Sequence, residues 1–356
     1  MLKENIFLAA VDMAGITAPV AFGIAFGHPE VGMAMGLGCL AQGNGGGSLA
    51  LRERARPLLY TALSGAAAMY IGSSMTGRSL GAVLGLPLIL ALAALFGGIS
   101  RPLARQSTLF GIFALIAAGI SRPAISPVAL ALLFLAGAAW SALLSLCLWG
   151  AQAIVRLKTV RRIERQTGAP PNSPEDEPAA KHTAKQLLKR WAGNLSSIAG
   201  WQYPLRLFLC IATAESLGLI WPFPRAYWVP LTVAIVMPRK LETGMDKALH
   251  RVVGTFFGVV IASTLGRFAL PPWTMIAAIA ILGAARSLLR PVHYIAYATV
   301  HTPLILLLMD LGRQPSSSVT FVFGLDRLAA TAAGAMIALL LGYLPWTSHR
   351  KEAAAK

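Results

Sequence analysis

Two carboxylates stand inside long apolar runs, Asp12 in NIFLAAVDMAGITAPVAFG and Glu215 in LRLFLCIATAESLGLIW. An acid near the centre of an apolar helix costs roughly 2.5–3.5 kcal/mol on insertion scales, so it turns toward the protein interior or toward water. Two chemistries fit these acids: a proton-carrying carboxylate in each half of the chain, or a structural polar contact with its head at the interface. A third constellation is His293, Tyr297 and His301. Their i, i+4, i+8 spacing puts them on one helical face, with Tyr294 and Thr302 on others. An imidazole–phenol stripe can stack on an aromatic carboxylate or relay protons near neutral pH. The plainer alternative is an interfacial histidine and hydroxyls that only pack. Two histidines at this spacing could hold a metal, but no acid or thiol is adjacent, so no metal site is expected.

Arginines form the next group. Arg206, Arg286 and Arg290 fall at span ends. They could draw an organic anion toward the protein, but anchors whose heads snorkel to the interface are the favoured reading. Arg225 and Arg327 fall on the opposite side, against the usual charge bias. Asp326 adjoins Arg327 and Asp310 closes the preceding run, so an outer ion pair or gate is one reading. Cys39, Cys147 and Cys210 lie in apolar runs without ligand spacing and read as packing residues. GNGGGS at 43–48 lacks the GK[ST] ending and the preceding strand of a phosphate loop. No nucleophile–histidine–acid set is present, so neither an enzyme nor a cofactor is expected.

The elements that must hold these groups are helices in a membrane. The 356 residues are 56% hydrophobic and only 13% charged, with a net charge of +17. Soluble domains carry about a quarter charged residues. The bases sit in short connectors between apolar runs, which argues for topology and against nucleic-acid binding. A span needs about twenty mostly apolar residues. Twelve stretches approach this, near 6–27, 30–50, 57–76, 79–99, 107–120, 124–149, 203–221, 226–237, 252–268, 272–289, 292–309 and 325–345. The fold class is therefore all-α, a polytopic membrane protein of about twelve transmembrane helices, because only helices satisfy their backbone within themselves in lipid. Two stretches, 107–120 and 226–237, look too short, as broken helices do in transporters. The first run, with Asp12 inside it, reads as a span and not as a cleaved signal.

With the N-terminus in the cytoplasm, 25 of the 31 Lys and Arg fall on the inner side. That places both termini inside. The chain divides into a first six-helix half at 1–150, a cytoplasmic linker at 151–202, a second six-helix half at 203–346 and a tail at 347–356. EAAAK in the tail resembles an engineered helical spacer. In the linker, GAPPNSPEDEP is an acidic, Pro-rich stretch expected to be disordered. Leu187, Leu188, Trp191 and Leu195 follow at helical spacing, as in an amphipathic helix on the inner leaflet. The halves echo each other. Lys3 precedes Asp12 by nine residues and Arg206 precedes Glu215 by nine, while GAAWSALLSL at 137–146 parallels GAMIALLLGY at 334–343. Both halves start on the same side, so the repeat would be parallel.

The second half also carries a resemblance. Tyr227-Trp228 opening a short helix, Arg251 with Gly254-Thr255 and Gly258, Tyr294 with Thr302-Pro303, and Arg327 with Thr331 and Gly334 occur in order. Together these stretches resemble the fusaric-acid-resistance-like transmembrane domain of aromatic acid exporters and, more distantly, of plant aluminium-activated malate channels. The first half matches more loosely, through GNGGGSLALRERARPLL at 43–59, and has Leu130 where Arg327 would have a counterpart. The resemblance implies a bacterial inner-membrane exporter of small organic anions, aromatic carboxylates above all, driven by the proton gradient. A passive anion channel and a non-transporting assembly or lipid-handling subunit are the alternatives. The expected partners are the organic anion, protons and the bilayer. A periplasmic adaptor or a homo-oligomer finds no support in these residues.

Overall fold

The computed structural model describes residues 2–42, 51–75, 80–120, 125–167, 183–220, 226–237, 239, 244–267, 271–290, 292–311 and 319–346. Among them are thirteen helices and no strand. They are α1 (Leu2–Ala25), α2 (Pro29–Ala41), α3 (Leu51–Ser74), α4 (Leu80–Phe96), α5 (Arg101–Ile120), α6 (Pro127–Thr167) and α7 (Ala184–Leu195). The rest are α8 (Ile198–Ile220), α9 (Trp228–Val236), α10 (Gly244–Arg267), α11 (Pro272–Leu289), α12 (Tyr294–Leu311) and α13 (Val319–Leu340).

Among the described residues six stretches are long and apolar enough to cross a membrane: Arg101–Ile120, Pro127–Ala151, Gly200–Ile220, Ala248–Leu265, Pro272–Leu289 and Leu325–Trp346. Ala9–Ala25, Val83–Phe96 and Tyr294–Met309 are apolar but shorter. The expected short span at 107–120 is corrected: α5 begins at Arg101 and is 20 residues long. Its first turn carries Arg101 and Arg105, and a search for apolar residues stops short of them. The other short span is real. α9 has nine residues, about 13 Å of helix, and its side chains are buried almost throughout. α2 is short as well, at 13 residues.

The packing repeats along the chain. α1 packs on α2 and α8 on α9; α2 packs on α6 and α9 on α13. α3 packs on α5 and α6, as α10 packs on α12 and α13. The first helix of each set reaches across: α1 packs on α11 and α8 on α4. Small residues allow the close approaches. A Cβ on Gly137 would fall 1.9 Å from the Met35 carbonyl oxygen, and one on Gly334 would fall 2.6 Å from that of Val229. These two glycines tighten the matching pairs α2/α6 and α9/α13. Without a hydrophobic drive between helices in lipid, such backbone proximity is what holds them.

The linker stretch 168–182 lies outside the described residues. Beyond it the expected amphipathic helix is α7, where the Gln186 side chain accepts the Thr183 backbone N–H at 3.2 Å. α7 docks on protein through Trp191. The indole donates to the Leu95 carbonyl at 3.0 Å and stacks on Phe96 at 5.8 Å, at the end of α4.

Candidate functional site

Three buried arginines and a partly buried histidine gather where α10, α11, α12 and α13 meet. Arg251 is on α10, Arg286 on α11, His301 on α12 and Arg327 on α13. The three arginines are at most 4% exposed. The charges acting on His301 are those of Arg286, Arg251, Arg327 and Arg290. Arg251 also acts on Arg327 and lies beside the Tyr294 phenol. Polar atoms in this group are left over. Arg251 Nε, Arg286 Nε and Nη1, Arg327 Nη1, His301 Nδ1 and the Thr255 hydroxyl are buried with no hydrogen-bond partner. Buried polar atoms are nearly always satisfied, so several orphaned N–H groups side by side require an account.

Local structure explains how the helices hold them. Gly254 and Gly258 of α10 face Ala298 and Thr302 of α12, stepping in the same direction along both helices. That parallel contact sets Arg251 level with Tyr294 and brings His301 about two turns deeper. The Thr302 and Thr331 hydroxyls bond back to Ala298 and Arg327 carbonyls at 2.8 and 2.7 Å, so they serve their own helices. α9 enters through Trp228, whose ring lies 5.2 Å from the Arg327 guanidinium carbon. α2 enters through the Leu40 carbonyl, which accepts from Arg286 Nη2 at 3.4 Å. α1 enters through Asp12, 7% exposed, beside Ser287 and near Arg286 and Arg290.

Of the expected site residues, the structure therefore brings together Asp12, His301 and Arg327. Tyr297 joins them, stacked on His301 at 5.2 Å and 15°. His293 stands apart and exposed. Tyr294, expected on another face, instead tilts against Tyr297 at 6.2 Å. It takes the end of the stripe assigned to His293, because i and i+3 side chains also meet on a helix. Glu215 is half-buried on α8, away from this group. Arg225, the Gly-rich loop at 43–48 and the Asp310 side chain lie outside the described residues.

Two expectations about the arginines are corrected. Arg206 and Arg286 do not snorkel. Arg206 is 1% exposed, and its Nε donates to the Gly342 carbonyl just past the end of α13, with Nη2 at 3.5 Å from Met237 Sδ. A cation is favourable where a helix ends in unpaired carbonyls. Arg239, between α9 and α10, does the same for α4. It donates to the Ala94 carbonyl at 3.2 Å and to Ser107 at 2.7 Å, and its guanidinium covers Tyr203 at 4.5 Å. Burial lowers the Arg239 pKa, with Tyr203 opposing. Arginine nonetheless stays charged.

Arg251 and Arg286 were legible only as a motif residue and a span-end base. The sign that Arg251 belongs inside is that it sits within a helix next to Gly254 and Gly258, which are used for close packing. The α3/α5 contact, which matches α10/α12 in the packing, is neutral and satisfied. Gln106 donates to Thr61 at 2.9 Å and accepts from Ser64 at 3.1 Å. Leu130 is a core residue of α6. Among the described residues no group of three or more His, Cys, Asp or Glu could hold a metal ion.

A multi-pass helical protein with several membrane-crossing helices and a buried cationic centre is the class these observations define. Residues 209–341, which hold Arg251, Arg286, His301 and Arg327, match the family described as fusaric acid resistance protein-like. The match points to a transport or resistance-type function in a membrane. No curated protein matches the chain, and no solved structure does.

Proposed function

We propose that this chain is a secondary transporter that exports small organic anions, aromatic carboxylates foremost, across a bacterial inner membrane, with transport coupled to the proton gradient. Its two parallel-related halves, 1–150 and 203–346, make about twelve passes around one central site, with both termini in the cytoplasm. The observation that carries this reading is the set of unpaired donors on Arg251, Arg286 and Arg327, beside the unpartnered His301 Nδ1. An unpaired buried guanidinium is costly, and a transient anionic guest removes that cost each time it binds. Arg286 and Arg251 hold the carboxylate, Arg327 is fixed over Trp228, and the Tyr297–His301 stack offers a flat surface to a ring. Asp12 and Glu215 are the carboxylates of the proton pathway. Arg206 holds α8 in place, and Arg225 belongs to the outer mouth.

The paired short helices support the same location. Short or broken segments in corresponding positions of two repeats mark the binding site in transporters, since irregular backbone is tolerated in lipid only where it lines a cavity. α2 and α9 correspond in the packing, and each supplies one group to the cluster, the Leu40 carbonyl and Trp228.

The test is uptake of radiolabelled benzoate by proteoliposomes, with and without a pH gradient. Flux that follows the gradient and is lost in Arg251→Gln and Arg327→Gln supports the exporter. Flux indifferent to the gradient makes the chain a passive channel. No flux with benzoate or with aliphatic carboxylates makes it a non-transporting subunit.

A further inference from the structure

We infer that Asp12 and the transported anion compete for one cation, Arg286, so that occupancy of the site by an anion is exchanged against ionisation of Asp12. This inference rests on the transport reading above and assigns its coupling to one pair of residues.

The geometry is a line through three helices. Asp12 lies on the face of α1 that packs against α11; a Cβ on Gly283 would fall 3.9 Å from the Asp12 carbonyl oxygen. One turn along α11 come Arg286 and Ser287, and both act on the Asp12 carboxylate. On its other side, Arg286 faces His301 on α12, where it is the first of the cations acting on that ring. Arg286 is 4% exposed and has Nε and Nη1 unpartnered, its described hydrogen bond being the one to the Leu40 carbonyl. It thus retains donors for a guest while standing next to a resident carboxylate.

The charges facing Asp12 from each packed element are few. α11 presents Arg286 and Arg290, α2 presents the Cys39 thiol, and α6 presents the neutral Ser141 opposite Gly15. With Asp12 ionised, Arg286 already has a countercharge. An arriving carboxylate then meets a nearby anion and a partly neutralised cation. With a proton on Asp12, Arg286 is free to take the guest as its countercharge, and the local charge is unchanged by the exchange. Anion and proton therefore bind and cross together, so the anion's own outward gradient drives its export against an inward proton gradient. Ionisation of Asp12 from the opposite side expels the guest. Arg327 and Arg251 lie further along the cluster and supply affinity without this exchange.

The test is equilibrium binding of radiolabelled benzoate to the full chain in nanodiscs, between neutral and mildly acid pH where benzoate stays ionised. Wild-type affinity should strengthen on acidification by between roughly fivefold and a hundredfold, the usual range for two coupled sites. Asp12→Asn should bind with the acid-form affinity at every pH. Glu30→Gln, which removes a partly exposed acid paired with His28 at 3.2 Å, should retain the wild-type response. Protonation of His301 would give the wild type the same sign of response, so the Asp12→Asn comparison decides between them. A second measurement needs no variant: benzoate binding to the wild type in weak buffer should take up protons. Asp12→Asn with an undiminished pH response, or benzoate binding without proton uptake, overturns the exchange and leaves the site standing. Absence of benzoate binding at any pH overturns the transport reading itself.

Discussion

The Arg327 guanidinium lies over the Trp228 indole, 5.2 Å from its centre, with Nη1 buried and unpartnered. A desolvated cation–π contact stabilises by about 2 kcal/mol. That does not offset the several kcal/mol needed to remove a charge from water. The fold therefore carries Arg327 at a net cost, as expected of a group kept for a ligand. Arg327→Met should raise the thermal unfolding temperature in detergent, by the equivalent of about 1 kcal/mol or more. It should also weaken benzoate binding by at least roughly thirtyfold, about 2 kcal/mol. A variant that loses stability and affinity together would make Arg327 a structural residue.

Contact at the α10/α12 crossing is tight enough to test by single methyl groups. A Cβ at Gly258 would sit 2.6 Å from Thr302 Cβ and 2.7 Å from the Thr299 carbonyl oxygen. Pro303 leaves that carbonyl without its own helical donor, so backbone must move. Gly258→Ala should cost about 1–3 kcal/mol and shift His301 relative to Arg251. At Gly283 the nearest atom is Ile16 Cδ1 at 3.4 Å, an ordinary contact. Gly283→Ala should change stability by no more than about 0.5 kcal/mol. Thermal melts of the two variants, side by side, check the contrast.

Helix identity was legible in the sequence because apolar run length is a strong signal, and the positions of α1, α9 and α11 follow from it. Burial of individual bases was not. The inner-side excess of Lys and Arg treats every base as topological, yet Arg206, Arg251 and Arg286 are buried. A charge ratio cannot separate an anchor at the interface from a cation one turn deeper, since helix position alone differs by only three or four residues. The stripe on α12 failed for a related reason. An i, i+4 rule selects His293, whereas Tyr294 at i+3 from Tyr297 is the side chain that turns inward. The reach of α1 to α11 and of α8 to α4 depends on long-range packing, which no local pattern encodes.

Trp191 ties the linker helix to α4 by a single hydrogen bond and a stacked ring. Trp191→Phe retains the ring and removes the donor to the Leu95 carbonyl. It should cost about 1 kcal/mol, the net value of one such bond. Trp191→Ala loses both and should cost visibly more. Limited proteolysis within 184–195 reads local release of α7, and thermal melting reads the global effect. Equal behaviour of Phe and Ala would mean that the ring contributes nothing.

Beyond the polar cluster the same helices turn apolar at each step. Asp12 is followed by Ile16 and Val20 on α1, Arg286 by Ile279 on the antiparallel α11, and His301 by Leu304 and Leu308 on α12. These five apolar side chains are at most 2% exposed and pack with Cys39, Leu307 and Leu311 into one cluster. One helical turn is about 5.4 Å, so this layer closes the site on one side within two turns. The other side ends at the exposed Arg290 and His293. An apolar constriction blocks ions because hydrating it is unfavourable, and a small hydroxyl side chain both widens it and removes that barrier. Leu304→Ser should therefore raise leakage of benzoate and protons through proteoliposomes held without a gradient. Its stability loss should be about 2 kcal/mol or more, as for other buried truncations. Leu132→Ser, on the exposed face of α6, should leave leakage at the wild-type level. If Leu304→Ser remains as tight as wild type, the barrier lies elsewhere and the cluster is packing alone.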